Sequence, residues 1–129
     1  MVRKQFALMV GVALAVGACV LLYRGPGRDL VRGHVGDIAA TLLVYALLGL
    51  VWLRGSVAVR ATATLALATA IELGQTVWHT RSLADELVLG STFDPWDLVA
   101  YALGVAVAIA WERRGQRVAR QLHASQTSP

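Results

Sequence analysis

Four long stretches of this chain carry no charged residue, and they restrict its fold more than any other feature. They run from Phe6 to Tyr23, Ile38 to Leu53, Ala61 to Ile71 and Leu98 to Trp111. A helix needs about 20 mainly apolar residues to cross a bilayer, and only helices and closed barrels satisfy their backbone polar groups there. The stretches therefore predict an all-α fold, an integral membrane bundle of four transmembrane helices.

The composition also favours a membrane location. Hydrophobic residues make up 57% of the chain and charged residues 16%, against about 45–50% and 25% in soluble domains. The basic residues behind the net charge of +4 lie near the predicted helix ends, as is usual in membrane proteins. We therefore expect the lipid bilayer as a partner, no binding of nucleic acid, and no separate soluble catalytic module.

Turn residues and helix starts divide the apolar part of the chain. Pro26 and its flanking glycines end the first span, and Asp94 and Pro95 suit the N-cap and first position of the last helix. The predicted spans are about 6–23, 35–53, 57–77 and 95–111. Residues 78–93 are predicted as an interfacial turn or short amphipathic helix. Residues 1–112 thus form the membrane domain, and 113–129 a basic, partly disordered cytoplasmic tail.

Lysine and arginine are distributed unequally between the two sides of such a bundle. An even number of spans places both termini and the loop between spans two and three on the same side. That side carries Arg3, Lys4, Arg54, Arg60, Arg113, Arg114, Arg117 and Arg120, and the other carries Arg24, Arg28, Arg32 and Arg81. The positive-inside rule therefore predicts a multi-pass protein with both termini in the cytoplasm.

Ionisable residues in or beside the spans are the candidates for function, because a charge at the centre of an inserted helix costs about 2.5–3.5 kcal/mol. Asp37, Glu72 and Asp97 lie on three helices and, in this topology, in the outer leaflet. Helical spacing places Gln75 beside Glu72 and Tyr101 beside Asp97. The predicted ligand-binding or polar cluster comprises Asp37, Glu72, Gln75, Arg81, Asp97 and Tyr101.

Simpler interpretations exist for these residues. Asp37 and Asp97 lie near helix N-termini, where the helix dipole favours a carboxylate by about 0.3–1 kcal/mol. Glu72 lies well inside its span, which favours a site or a buried network over snorkelling to the interface. His34 and His79 lack a paired metal-ligand spacing, and no nucleophile or nucleotide-binding motif is present. We expect no metal and no cofactor.

A set of ordered motifs in this chain closely resembles the small bacterial membrane proteins grouped as domain-of-unknown-function family 2809. The motifs are Gly36-Asp37, Glu72-x-x-Gln75, Arg81, Val88-Leu89-Gly90-x-x-Phe93 and Asp97-Leu98-x-x-Tyr101-x-x-Gly104. The resemblance covers about Val35 to Trp111. It implies a four-span protein of the bacterial inner membrane and no particular reaction.

A looser similarity links the chain to the VanZ-like proteins, small membrane proteins connected with glycopeptide-antibiotic resistance. They share a Glu-x-x-Gln near the end of one helix and an acid that opens the next. The shared pattern is too short for residues to be carried over.

Three classes of function follow from these patterns. In the first, the outer-leaflet cluster binds an envelope or periplasmic ligand, such as an envelope lipid or antibiotic-like molecule, with Arg81 engaging an anionic or polar head group. In the second, the polar residues only lock the helices of a structural or accessory subunit. In the third, Glu72 and Asp97 act as acid and base in an intramembrane hydrolase or transferase. The sequence leaves open whether the chain is an enzyme and whether it forms an oligomer.

Overall fold

The structure, a computed structural model, describes residues 2–79 and 95–126, and every regular element in these ranges is helical. Helix α1 covers Val2–Leu22, α2 covers Arg28–Val51, α3 covers Val57–His79 and α4 covers Pro95–Gln126. The prediction of an all-α fold built on four long helices is confirmed.

Three of these helices are long and apolar enough to cross a membrane: α1, α2 and the part of α3 that ends at Gly74. Helix α4 combines the charge-free stretch Leu98 to Trp111 with a basic second half. It packs against α1, α2 and α3, so it is the fourth helix of the same bundle. Many large apolar side chains point outward, among them Leu8, Leu21 and Val51, and they form an apolar outer surface of the kind that suits a membrane.

Helix α2 makes the most extensive contacts in the bundle, above all with α1 and α4. Small residues let it approach them closely. A Cβ atom on Gly104 of α4 would lie 2.8 Å from the Cβ of Thr41 and 3.0 Å from the carbonyl oxygen of Ile38. A Cβ atom on Gly49 would overlap the ring of Phe6 in α1. The crossing at Gly104 therefore leaves no room for a side chain, whereas a side chain at Gly49 would require the Phe6 ring to move.

The buried core joins three helices. It consists of Phe6, Met9 and Ala13 from α1, Leu42, Tyr45 and Ala46 from α2, and Ala108 from α4. In α1 and α2 these residues recur at three- and four-residue intervals, which places them on one face of each helix. The packing of this core sets the relative positions of α1, α2 and α4, and therefore also of the polar residues that these helices carry at the two ends of the bundle.

The start of α2 differs from a regular helix. Arg28–Leu30 forms one α-helical turn and Val31–Val35 is π-helical, before Gly36–Val51 continues as a regular α-helix. The predicted span began at about 35 because the preceding residues are polar, whereas the helical backbone begins earlier. Single π turns are frequently found at functional sites, and this one lies just before Asp37.

Helix α4 extends well beyond its apolar stretch. Residues 113–126 of the predicted tail are helical, while 127–129 lie outside the described residues. Residues 80–93 of the predicted interfacial segment and Asp94, the predicted N-cap of the last helix, also lie outside them. The tail is rich in arginine, alanine and glutamine, which favour helix. Gln116 also donates a hydrogen bond to Glu112 at 3.0 Å, one turn away. The apolar stretch therefore predicts which part of α4 lies in the membrane, but not the residue at which the helix ends.

Candidate functional site

Three acids meet at one end of the bundle. Asp37 comes from α2, Glu72 from α3 and Asp97 from α4. The side chain of Asp37 lies close enough to those of Asp97 and Glu72 to interact electrostatically with both. Tyr101, one turn after Asp97, donates its hydroxyl to a carboxylate oxygen of Glu72 at 2.9 Å. We call Asp37, Glu72, Asp97 and Tyr101 the acidic cluster, and its end of the bundle the acidic end.

Local structure explains how the acidic cluster is positioned. Asp97 lies in the first turn of α4, where unpaired backbone amides and the helix dipole favour a carboxylate. Asp37 was predicted to lie near a helix N-terminus, but it lies inside α2, because the helical backbone already begins at Arg28. The π turn before Asp37 carries His34, which interacts electrostatically with it. Tyr101 is buried, while the three acids are half-buried. The three acids are therefore neither fully buried in the core nor fully exposed.

The chemistry of this arrangement favours particular ligands. Ionised carboxylates only accept hydrogen bonds, and like charges at short range repel each other more strongly away from bulk water. A group with positive charge, or with several N–H and O–H donors, would relieve that repulsion. In the described ranges no three His, Cys, Asp or Glu residues have the arrangement of a metal site.

Two predicted members of the cluster are not placed by the structure. The backbone of Gln75 lies in α3, one turn after Glu72, but its side chain is outside the described residues. Arg81 lies outside them entirely. Their part in the site stays a prediction.

A second polar cluster, at the opposite end of the bundle, was not predicted. Arg60 of α3 forms an ion pair with Glu112 of α4, and their side chains are only 3% and 1% exposed. Tyr45 of α2 donates its hydroxyl to the second oxygen of Glu112 at 2.7 Å, and Gln116 donates to the first at 3.0 Å. We call Tyr45, Arg60, Glu112 and Gln116 the ion-pair cluster, and its end the basic end.

Further contacts connect the ion-pair cluster to the rest of the bundle. The guanidinium of Arg60 lies 5.2 Å from the centre of the Phe6 ring, a cation–π distance. It also donates to the carbonyl oxygen of Trp52, after the end of α2, at 3.2 Å. Gln5 of α1 donates to the carbonyl oxygen of Trp111 at 2.7 Å. Each of the four helices therefore contributes to this end.

Neither Arg60 nor Glu112 was predicted as a site residue, because Arg60 was counted only for topology and Glu112 lies at the edge of the predicted tail. One signal was available. Glu112 is the only acid after Asp97 and stands directly beside the apolar stretch. An acid at such a position is rarely buried unless it is paired, so a partner on another helix was to be expected.

Comparison with known proteins identifies the family of the chain. The family model described as "Protein of unknown function (DUF2809)" matches residues 27–105. This range includes the whole acidic cluster and ends before Glu112. No curated protein and no solved structure matches the chain, and a similarity to VanZ-like proteins is not shown. The chain belongs to the DUF2809 family, as the resemblance of its motifs implied.

Proposed function

We propose that this protein binds a ligand of the cell envelope or periplasm at the acidic cluster. The observation that carries the proposal is that Asp37, Glu72 and Asp97, from three helices, meet with half-buried side chains. Ionisable residues within membrane helices are expensive and typically functional. Helix packing alone would be better served by an acid with one opposite charge, as in the Arg60–Glu112 pair, than by acids that repel one another.

The ligand that fits this cluster has an ammonium group or several hydroxyl or amide donors. An envelope lipid with such a head group, or an antibiotic-like molecule with amines and hydroxyls, meets this requirement. Arg81, if it lies nearby as the sequence predicts, would engage an anionic part of the same ligand. In a bacterial inner membrane with both termini in the cytoplasm, the cluster would open toward the periplasm.

Native mass spectrometry of the protein released from its own membranes tests the proposal. The wild type is expected to carry an adduct of defined mass, and Glu72→Gln should lower its occupancy tenfold or more. A lost hydrogen bond to a charged group weakens binding by about 1.5–3 kcal/mol, and about 1.4 kcal/mol corresponds to a factor of ten. Asp29→Asn is the matched control, because it removes an exposed acid that is not part of the acidic cluster.

Two results would contradict ligand binding at this cluster. One is an adduct that persists equally in Glu72→Gln, and the other is bare protein in all three samples. Bare protein would favour the second candidate, a structural role. The Tyr101–Glu72 hydrogen bond supports that candidate because it joins α4 to α3.

A further inference from the structure

A groove of about 910 Å³ lies between the N-terminal end of α1 and the second half of α4, at the basic end. Its lining includes the apolar side chains of Leu8, Val107 and Val118, which are 59%, 47% and 51% exposed. It also includes Lys4, Arg114 and Arg120. We call this surface, defined by these six residues, the tail groove.

The charged side chains among the described residues of the tail groove are all basic. Of the described residues that line it, three are basic and none is acidic. Its two glutamines are held in place by hydrogen bonds, Gln5 to the carbonyl oxygen of Trp111 and Gln116 to Glu112. The basic side chains come from both helices, so an anion between them would be approached from two sides.

We propose that the tail groove binds an anionic phospholipid, with an acyl chain on the apolar residues and the phosphate among Lys4, Arg114 and Arg120. Basic pockets between membrane helices are a known form of site for anionic head groups. The exposed apolar residues favour an occupant with a hydrocarbon chain over a soluble anion. A second copy of this chain would bring like charges together, which disfavours it as the occupant.

This inference does not rest on the proposed function. The tail groove is built from the basic half of α4, and Asp97 and Arg114 are about 25 Å apart along the helix axis at 1.5 Å per residue. Loss of binding at one site would therefore leave the other to be measured separately.

Titration of the purified full-length protein with phosphatidylglycerol or phosphatidylcholine, followed by native mass spectrometry, tests the charge requirement. The wild type should prefer phosphatidylglycerol about tenfold. The variant Lys4→Gln/Arg114→Gln should lose most of that preference, because each basic residue near an anionic head group raises the affinity by a factor of roughly five. The control Arg113→Gln/Arg117→Gln has the same net charge but changes exposed residues outside the groove lining, and it should retain the preference. An equal loss in both variants, or a loss in neither, would overturn the proposal.

Fluorescence quenching by brominated lipids tests the location, because Trp111 lines the groove. A protein that retains only this tryptophan, the other three replaced by phenylalanine, should be quenched more by brominated phosphatidylglycerol than by brominated phosphatidylcholine at equal mole fraction. A protein that retains only Trp52 is the control, because Trp52 lies at the same end and outside the groove lining. It should respond equally to both lipids. Equal quenching of Trp111 by both lipids would overturn the proposal.

Discussion

Replacing Glu112 with alanine is expected to lower the free energy of unfolding by about 3–5 kcal/mol, because it leaves a buried charge without its partner. The Arg60 side chain is 3% exposed and cannot regain water without opening the bundle. The same change removes the acceptor for the Tyr45 hydroxyl and the Gln116 amide. Alanine has the highest helix propensity, so the loss would come from these contacts and not from the backbone of α4.

Unfolding in mixed micelles, followed by circular dichroism, measures this loss. Arg113→Ala is the matched control: the residue is adjacent and exposed, so its effect should stay within about 0.5 kcal/mol. The double variant Arg60→Met/Glu112→Leu should recover much of the stability, because replacing both members of a buried pair with apolar residues is often neutral. If Glu112→Ala unfolds like Arg113→Ala, the ion-pair cluster does not hold the helices together.

The second large effect is expected at the crossing of α2 and α4. Gly104→Val should lower the free energy of unfolding by roughly 1–3 kcal/mol, the usual cost of overpacking. Its Cβ atom would lie 2.8 Å from the Cβ of Thr41 and 3.0 Å from the Ile38 carbonyl oxygen. A backbone carbonyl cannot move aside as a flexible side chain can, so the two helices would have to separate.

The same unfolding assay measures this change. Gly11→Val in α1 is the control, because a Cβ atom there has nothing within 4 Å. We expect Gly11→Val to leave stability unchanged or slightly raised, since valine is a better helix former than glycine. Equal stability of the two variants would show that α2 and α4 do not cross closely at Gly104. Because Asp97 lies on the same helix, Gly104→Val should also reduce occupancy of the adduct proposed for the acidic cluster.

The sequence predicted the helices because charge-free stretches report directly on burial in lipid. It located their ends less well, for two physical reasons. The helical turns of Arg28–Val35 were not predicted, because the polar residues in this segment interrupt the apolar pattern that begins after it. The basic residues after Trp111 indicated a membrane interface, so the last helix was predicted to end there. The helix continues because the residues that follow have a high helix propensity.

The sequence predicted the acids of the acidic cluster but not the ion-pair cluster. Asp37, Glu72 and Asp97 stood out because acids near spans are costly and because alternating helices bring them to one end. The pairing of Arg60 with Glu112 joins residues that are 52 positions apart, and no local spacing predicts it. The tail groove depends on the gap that remains between α1 and α4, which only the packed structure reveals.

Disulfide cross-linking in native membranes tests most directly the central claim that separate helices bring these acids together. In a Cys19→Ala background, which removes the only native cysteine, Asp37→Cys/Asp97→Cys should form an intramolecular disulfide on mild oxidation. The two native side chains interact electrostatically at short range, so we expect the introduced thiols to come within reach of each other. Asp37→Cys/Arg113→Cys pairs residues near opposite ends of the bundle, changes an exposed residue at the basic end, and should remain reduced. A disulfide in the first pair alone is the result that we predict; none in the first pair, or equal yields in both, would contradict the assembly of the acidic cluster.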